Sequence, residues 1–204
     1  MTRPLISGNV RTPFKSAGVH SRYHLGASLI EVLVALVITL IGLLGLSGLI
    51  VRANQSEMES YQRVQALMLL QDMVDRINAN RGVAACYSDA ATGRTVGTSY
   101  TGTPTCTVGT LQQNTQTVTD LTAWNNLLQG SAEVSGSDKI GAMIGARGCV
   151  TQIDAVTRTY FISVAWQGLA PTAAPVNPCG KDLYGSDDKF RRVVTATVRI
   201  GNLL

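Results

Sequence analysis

Gly26-Ala27-Ser28-Leu29-Ile30-Glu31, continued by an apolar run from Val32 to Val51, is the stretch whose reading decides the fold. The run has no charged residue and no proline, and Arg52 closes it. At about 1.5 Å per helical residue its roughly twenty positions reach across a bilayer core of about 30 Å, so the stretch predicts a membrane-spanning helix. A secretory signal has a shorter apolar core and is cut behind it. Here the segment that follows, Val51-Arg52-Ala53, is a poor small-x-small site, which places any cut ahead of the run.

Charge divides the chain at the same point. Arg3, Arg11, Lys15 and Arg22 precede Gly26 with no acidic residue among them, so they account for the whole formal charge of +4. The remainder is balanced, with 13 basic residues left of 17 against 13 acidic ones. A basic leader before an apolar helix orients the leader to the cytoplasm and the rest of the chain to export. The balanced remainder gives no support for phosphate binding, and no nucleic-acid partner is expected.

A glycine, an uncharged tetrapeptide and a glutamate at the fifth position form the pattern cut by prepilin peptidases. On Gly26 to Glu31 the chain resembles the type IV pilins and the pseudopilins of type II secretion. The resemblance implies cleavage after Gly26, an N-methylated Ala27 as the new N-terminus, and Glu31 as the glutamate that sets assembly register. The family more often has phenylalanine where Ala27 stands. A leader of 26 residues is also long for the short-leader pilins, and a start at Val19 is the alternative reading.

Glu31 has two readings of its own. An acidic side chain costs roughly 2.5–3.5 kcal/mol at a bilayer centre and less near the interface, where it can snorkel to the headgroups. Alternatively it has a partner: cleavage would create a positive amino group on Ala27, and the carboxylate of an incoming subunit would neutralise it in an apolar filament core. The spacing after a glycine favours the second.

Beyond Arg52, Ala66, Leu70, Met73 and Ile77 recur at helical spacing while Arg63, Gln71, Asp72 and Asp75 fall mostly elsewhere, so the helix continues amphipathically to a stop near Asn80 or Gly82. Gly42, Gly45 and Gly48 suit close helix packing. From Val83 to Gly148 the chain is rich in Thr, Ser, Gly and Gln and predicts loops, with one or two helical turns capped by Asp120 and carrying Leu121, Trp124 and Leu128. Strands are expected at Gly148–Ile153, Arg158–Gln167 and Arg191–Ile200, with a hairpin turn at Asp154–Thr157. In the second strand Tyr160, Ile162, Val164 and Trp166 should face the helix. The long loop from Leu169 to Lys189 is a candidate contact surface.

The expected class is therefore α+β and pilin-like, a long N-terminal helix packed on an antiparallel head. Four segments are expected: a cleaved leader at 1–26, a transmembrane and filament-core helix at 27–52, an amphipathic helix at 53–82 and a periplasmic head at 83–204. Within the superfamily the chain resembles the minor pilins called pilus modification protein V. That likeness rests on Ala27 to Val51, on Asp72 to Arg81, and on Gly148-Cys149-Val150, Val164-Ala165-Trp166-Gln167-Gly168 and Arg191-Arg192-Val193-Val194. It implies a low-abundance subunit that helps initiate assembly with other minor pilins, the major pilin and a larger tip adhesin. The alternatives are a minor pseudopilin and a single-pass anchor carrying an unrelated periplasmic domain.

Cys86, Cys106, Cys149 and Cys179 all lie in the exported part. Four cysteines allow three pairings, and the two local loops, Cys86 with Cys106 and Cys149 with Cys179, are favoured over a zinc site because no C-x-x-C pair exists. Both histidines, His20 and His24, belong to the leader, which removes the commonest general base from the mature chain. No phosphate loop or nucleophile motif is visible; no enzyme, metal or cofactor is expected. Asp182, Asp187 and Asp188 lack EF-hand spacing and read as a solvated turn. Trp124 and Trp166 read as core anchors, and Lys189-Arg191-Arg192 as a solvated strand end or a small basic patch.

Overall fold

The structure, a computed structural model, describes residues 26–139, 141 and 143–201. Residues 1–25 of the expected leader, with His20, His24 and the alternative start at Val19, lie outside the described residues. The chain divides into two compact units, one ending at Ser47 and one running from Gly48.

Helix α1, Leu29–Ala79, runs through both. It starts two residues later than the expected Ala27, with the Ser28 carbonyl accepting from Glu31 N at 3.0 Å and Val32 N at 3.2 Å. In the first unit its apolar side chains are exposed throughout. Thr39 Oγ1 and Ser47 Oγ donate back to the carbonyls of Ala35 and Leu43, so neither hydroxyl needs an outside partner.

In the second unit the helix gains a buried stripe. Gln62, Ala66, Leu70, Met73 and Ile77 are buried at spacings of four, four, three and four, the pattern of a single helical face. Ala66, Leu70, Met73 and Ile77 pack with Leu121, Trp124 and Leu128 and with the sheet residues Val150, Tyr160, Ile162, Val164 and Trp166 in one core. The expected face of the second strand is thus the core face. α1 ends at Ala79, because Asn80 turns its side chain to Gln113 O at 2.9 Å and Thr117 Oγ1 at 3.0 Å.

After α1 come a short helix α2, Ala85–Ser88, strand β1, Arg94–Gly97, and helix α3, Leu111–Leu128. Strands β2, Val134–Ser135, and β3, Asp138–Lys139, form a small hairpin. Then follow β4, Arg147–Asp154, β5, Thr159–Gln167, and β6, Arg191–Arg199. The main sheet has the order β1-β4-β5-β6, antiparallel throughout, with a register shift between Gln152 and Asp154. Asp154 shapes the β4–β5 turn by accepting from Val156 N at 2.8 Å, Thr157 N at 3.1 Å and Thr157 Oγ1 at 2.7 Å.

Two expectations are corrected. The region before Gly148 holds an 18-residue helix, not one or two turns, and a strand, β1. The α3 cap is Thr110, not Asp120: a capping box joins Gln113 N to Thr110 Oγ1 and Thr110 N to Gln113 Oε1. Asp120 lies inside the helix and is buried. The loop from Leu169 to Lys189 lies over the outer face of the sheet, where Cys179 and Tyr184 bury Ala165 with Cys149 and Val193 beside them, and most of its other residues are exposed.

Candidate assembly interface

The first unit exposes thirteen large aliphatic side chains between Leu29 and Leu46, and Leu49, Ile50 and Val51 at the start of the second unit are exposed as well. Removing each from water is worth about 1.5–3 kcal/mol, so together they favour an apolar surrounding by tens of kcal/mol. Gly42 and Gly45 have no atom within 4 Å of the place where a Cβ would stand, which leaves a strip where another helix could approach closely. Gly48, in the second unit, is equally open.

Glu31 is the acidic residue of the first helical turn, third from the Ser28 boundary. Its carboxylate sits where the helix dipole is positive, worth about 0.3–1 kcal/mol in an exposed setting. Gly26 and Ala27 precede the helix in exposed, irregular chain. A free amino group at Ala27 would stand at that same positive end, where it needs an anion.

The second unit is braced from several sides. The disulfides are Cys86–Cys106, tying α2 to the segment before α3, and Cys149–Cys179, tying β4 to the covering loop. Arg191 is only 2% exposed. It pairs with Asp188 at 3.1 Å and donates to the carbonyls of Asn177, Cys179 and Pro175. Arg192 donates to Glu59 Oε1 at 3.2 Å, and Lys189 pairs with Asp187 at 2.7 Å. The expected solvated strand end is therefore a latch: its arginines hold the loop on the sheet. Asp188 also accepts from Asp182 N, so the three aspartates form a braced turn, and among the described residues no cluster of metal-ligating side chains occurs. Tyr184 donates to Gly145 O at 2.6 Å with Arg147 over its ring, and burial pushes its phenol above the usual value.

Two arrangements were outside the reach of sequence reasoning. Glu59, on the part of α1 in the second unit, accepts from Leu169 N at 3.0 Å and Ala170 N at 3.1 Å as well as from Arg192. The other is a polar network between α1, α2 and α3. Asp120 accepts from Tyr87 OH at 2.5 Å, Arg76 Nη1 at 3.0 Å and Gln116 Nε2 at 2.8 Å, while Arg76 Nε also reaches Asp72 at 2.8 Å. Burial, and then the bond to Asp120, push the Tyr87 phenol well above its ordinary value. Trp124, fully buried, donates to Leu69 O at 2.9 Å, and Trp166 is buried in the same core, so both tryptophans are anchors.

A helix that exposes its apolar side chains, with one carboxylate in its first turn, joined to a disulfide-braced α+β unit, defines a structural subunit that is held in a membrane and passes into an assembly. Residues 48–122 match the family described as type IV pilin Tt1218, and residues 21–47 match the prokaryotic N-terminal methylation motif. The chain belongs to the type IV pilin superfamily: it is a pilin or pseudopilin subunit, a structural protein rather than an enzyme. The family implies assembly with other pilins and processing by a prepilin peptidase. Comparison with curated proteins returned no match, and comparison with solved structures returned none.

Proposed function

We propose that the chain is a minor type IV pilin that helps initiate pilus assembly and enters the pilus or its tip complex. In this reading residues 1–26 are a leader cut after Gly26, Ala27 is N-methylated, residues 27–52 hold the precursor in the inner membrane and later pack in the filament core, and the part from 83 on is periplasmic. Residues 53–82 join the two as the amphipathic half of the helix. The leader stays cytoplasmic. The carboxylate of Glu31 on an incoming subunit pairs with the Ala27 amino group of a neighbour, which neutralises both charges and fixes axial register.

The observation that carries the proposal is Glu31 itself, the sole charge of an exposed apolar helix stretch, one turn from Ala27. The minor-pilin part rests on the segments that resemble pilus modification protein V, and the structure gives them physical work. Asp72, Arg76 and Asn80 supply the network at the end of α1, Gly148 makes room for Trp124, and Arg191 and Arg192 hold the covering loop.

Deletion of the gene and complementation with the wild type or Glu31→Val is the test. The proposal expects loss of surface pili and twitching, rescue by the wild type, and failure of Glu31→Val at normal precursor levels. Rescue of enzyme secretion instead of motility would make the chain a pseudopilin.

A further inference from the structure

The main sheet has two edges built differently. β1 is four residues long, and its Gly97 N–H is taken by Asn125 Oδ1 at 2.8 Å. β6 is nine residues long, without proline, glycine or any charge between Arg192 and Arg199, and it pairs with β5 without a register shift. Soluble proteins ordinarily blunt a sheet edge by shortness, proline, a bulge or a central charge. β6 carries charge only at its ends.

The hydrogen-bond alternation shows which groups the edge presents. Ile200 N donates to Arg158 O at 3.1 Å and Gly168 N to Phe190 O at 2.7 Å, both in the β5–β6 register. In an antiparallel pair the bonded residues alternate, so Arg192, Val194, Ala196 and Val198 turn their backbone groups toward β5. The N–H and C=O groups of Val193, Thr195, Thr197 and Arg199 point away from the sheet. Among the described residues none of these groups has a hydrogen-bond partner. On the core side of the strand Val194, Ala196 and Val198 are only half-buried, and on the outer side Val193 is half-buried against the Cys149–Cys179 cluster.

We propose that β6 takes up one further strand, donated in extended conformation by a neighbouring pilin-class subunit. Main-chain bonds to Val193, Thr195, Thr197 and Arg199 supply the pairing. Apolar residues at alternate donor positions cover the flank of Val194, Ala196 and Val198, and polar ones lie beside the exposed Thr195 and Thr197. A pilin-class donor is the occupant because the family implies assembly with other pilins. The inference rests on that assembly and not on whether it forms a pilus or a pseudopilus.

The test uses the full chain, expressed in cells as wild type, Thr195→Pro and Thr197→Lys. Thr195→Pro removes an outward N–H, and Thr197→Lys places a charge on the edge while leaving every ladder bond to β5 in place. Detergent extracts of the membrane and sheared filaments are each immunoprecipitated, and co-purified chains with a prepilin motif are identified by mass spectrometry. The expected result is at least a tenfold loss of pilin-class partner for both variants, with unchanged processing and unchanged melting for Thr197→Lys. Partner recovery within twofold of wild type for Thr197→Lys would overturn the inference and leave the pilin assignment standing. Wild type that binds a partner in the membrane but never reaches filaments would instead overturn the assembly reading, and the variants then decide the edge from the membrane fraction. Wild type with no pilin-class partner in either fraction would overturn both.

Discussion

Replacing Asp120 by alanine should destabilise the second unit by about 3 kcal/mol, the low end of the range for breaking a buried ion pair. The structure sets that position in the range. Asp120 is 4% exposed and holds three donors, Tyr87 OH, Arg76 Nη1 and Gln116 Nε2. Arg76 loses one partner but keeps Asp72 at 2.8 Å, and its side chain is 24% exposed, so water takes up part of the loss. Gln116 is exposed and loses little. Tyr87 bears the rest: its hydroxyl is fully buried and is left with long contacts to Asn80 at 3.4 Å and Arg76 O at 3.5 Å. Asp120→Asn keeps the volume and one acceptor and should cost about 1–2 kcal/mol, while Tyr87→Phe should cost about 1 kcal/mol. If both act through the Tyr87–Asp120 bond, the double variant Asp120→Asn/Tyr87→Phe costs clearly less than the sum. Urea unfolding of the full chain in detergent micelles measures all of this, with buried Trp124 as the fluorescent reporter. An Asp120→Ala variant within 0.5 kcal/mol of wild type, roughly the scatter of a surface substitution, would refute the assignment of the network as a structural joint.

Other expectations follow from the same packing. Gly148→Ala should destabilise by about 1–3 kcal/mol or more, because its Cβ would fall 2.7 Å from Leu128 Cδ1 and overlap the Trp124 ring; the same unfolding measurement reads it. Cys149→Ser/Cys179→Ser opens a loop with a sequence separation of 30 and should cost about 3–4 kcal/mol by loop-closure entropy, with faster proteolysis between Leu169 and Lys189. Burial raises the phenols of Tyr87, Tyr160 and Tyr184, so the native state holds those protons more tightly than the unfolded chain. Stability is then fully present below about pH 10 and falls as pH rises further, and Tyr87→Phe should flatten that fall in urea midpoints taken across the range.

What the sequence discloses is what local pattern encodes. The apolar run to Val51 is legible by its uninterrupted length, while the stripe Ala66, Leu70, Met73 and Ile77 and the three β-branched strands each repeat a physical period, and the structure places them within a residue or two of expectation. The second half of α3 was legible through Leu121, Trp124 and Leu128, but its full length was hidden because the rest is Gln-, Thr- and Asn-rich; the capping pair Thr110 and Gln113 marks its start. β1 is too short to show a period and is held by pairing with β4. Asp120 reads as a cap from its residue type, yet its role depends on Arg76 and Tyr87, which lie 44 and 33 residues away. The same holds for Arg191 and Glu59, whose partners come from the covering loop. Long-range pairing of this kind leaves no local signal, so a buried arginine reads as a surface one until the fold is known.

The account as a whole turns on the Gly26–Ala27 bond. The most direct measurement is the N-terminal residue of the protein from sheared filaments and from membranes, in cells with and without the prepilin peptidase. The account predicts N-methylated Ala27 in both fractions when the peptidase is present, and the uncut leader confined to membranes when it is absent. An intact leader in both strains would contradict it and reduce the Gly26 to Glu31 pattern to coincidence.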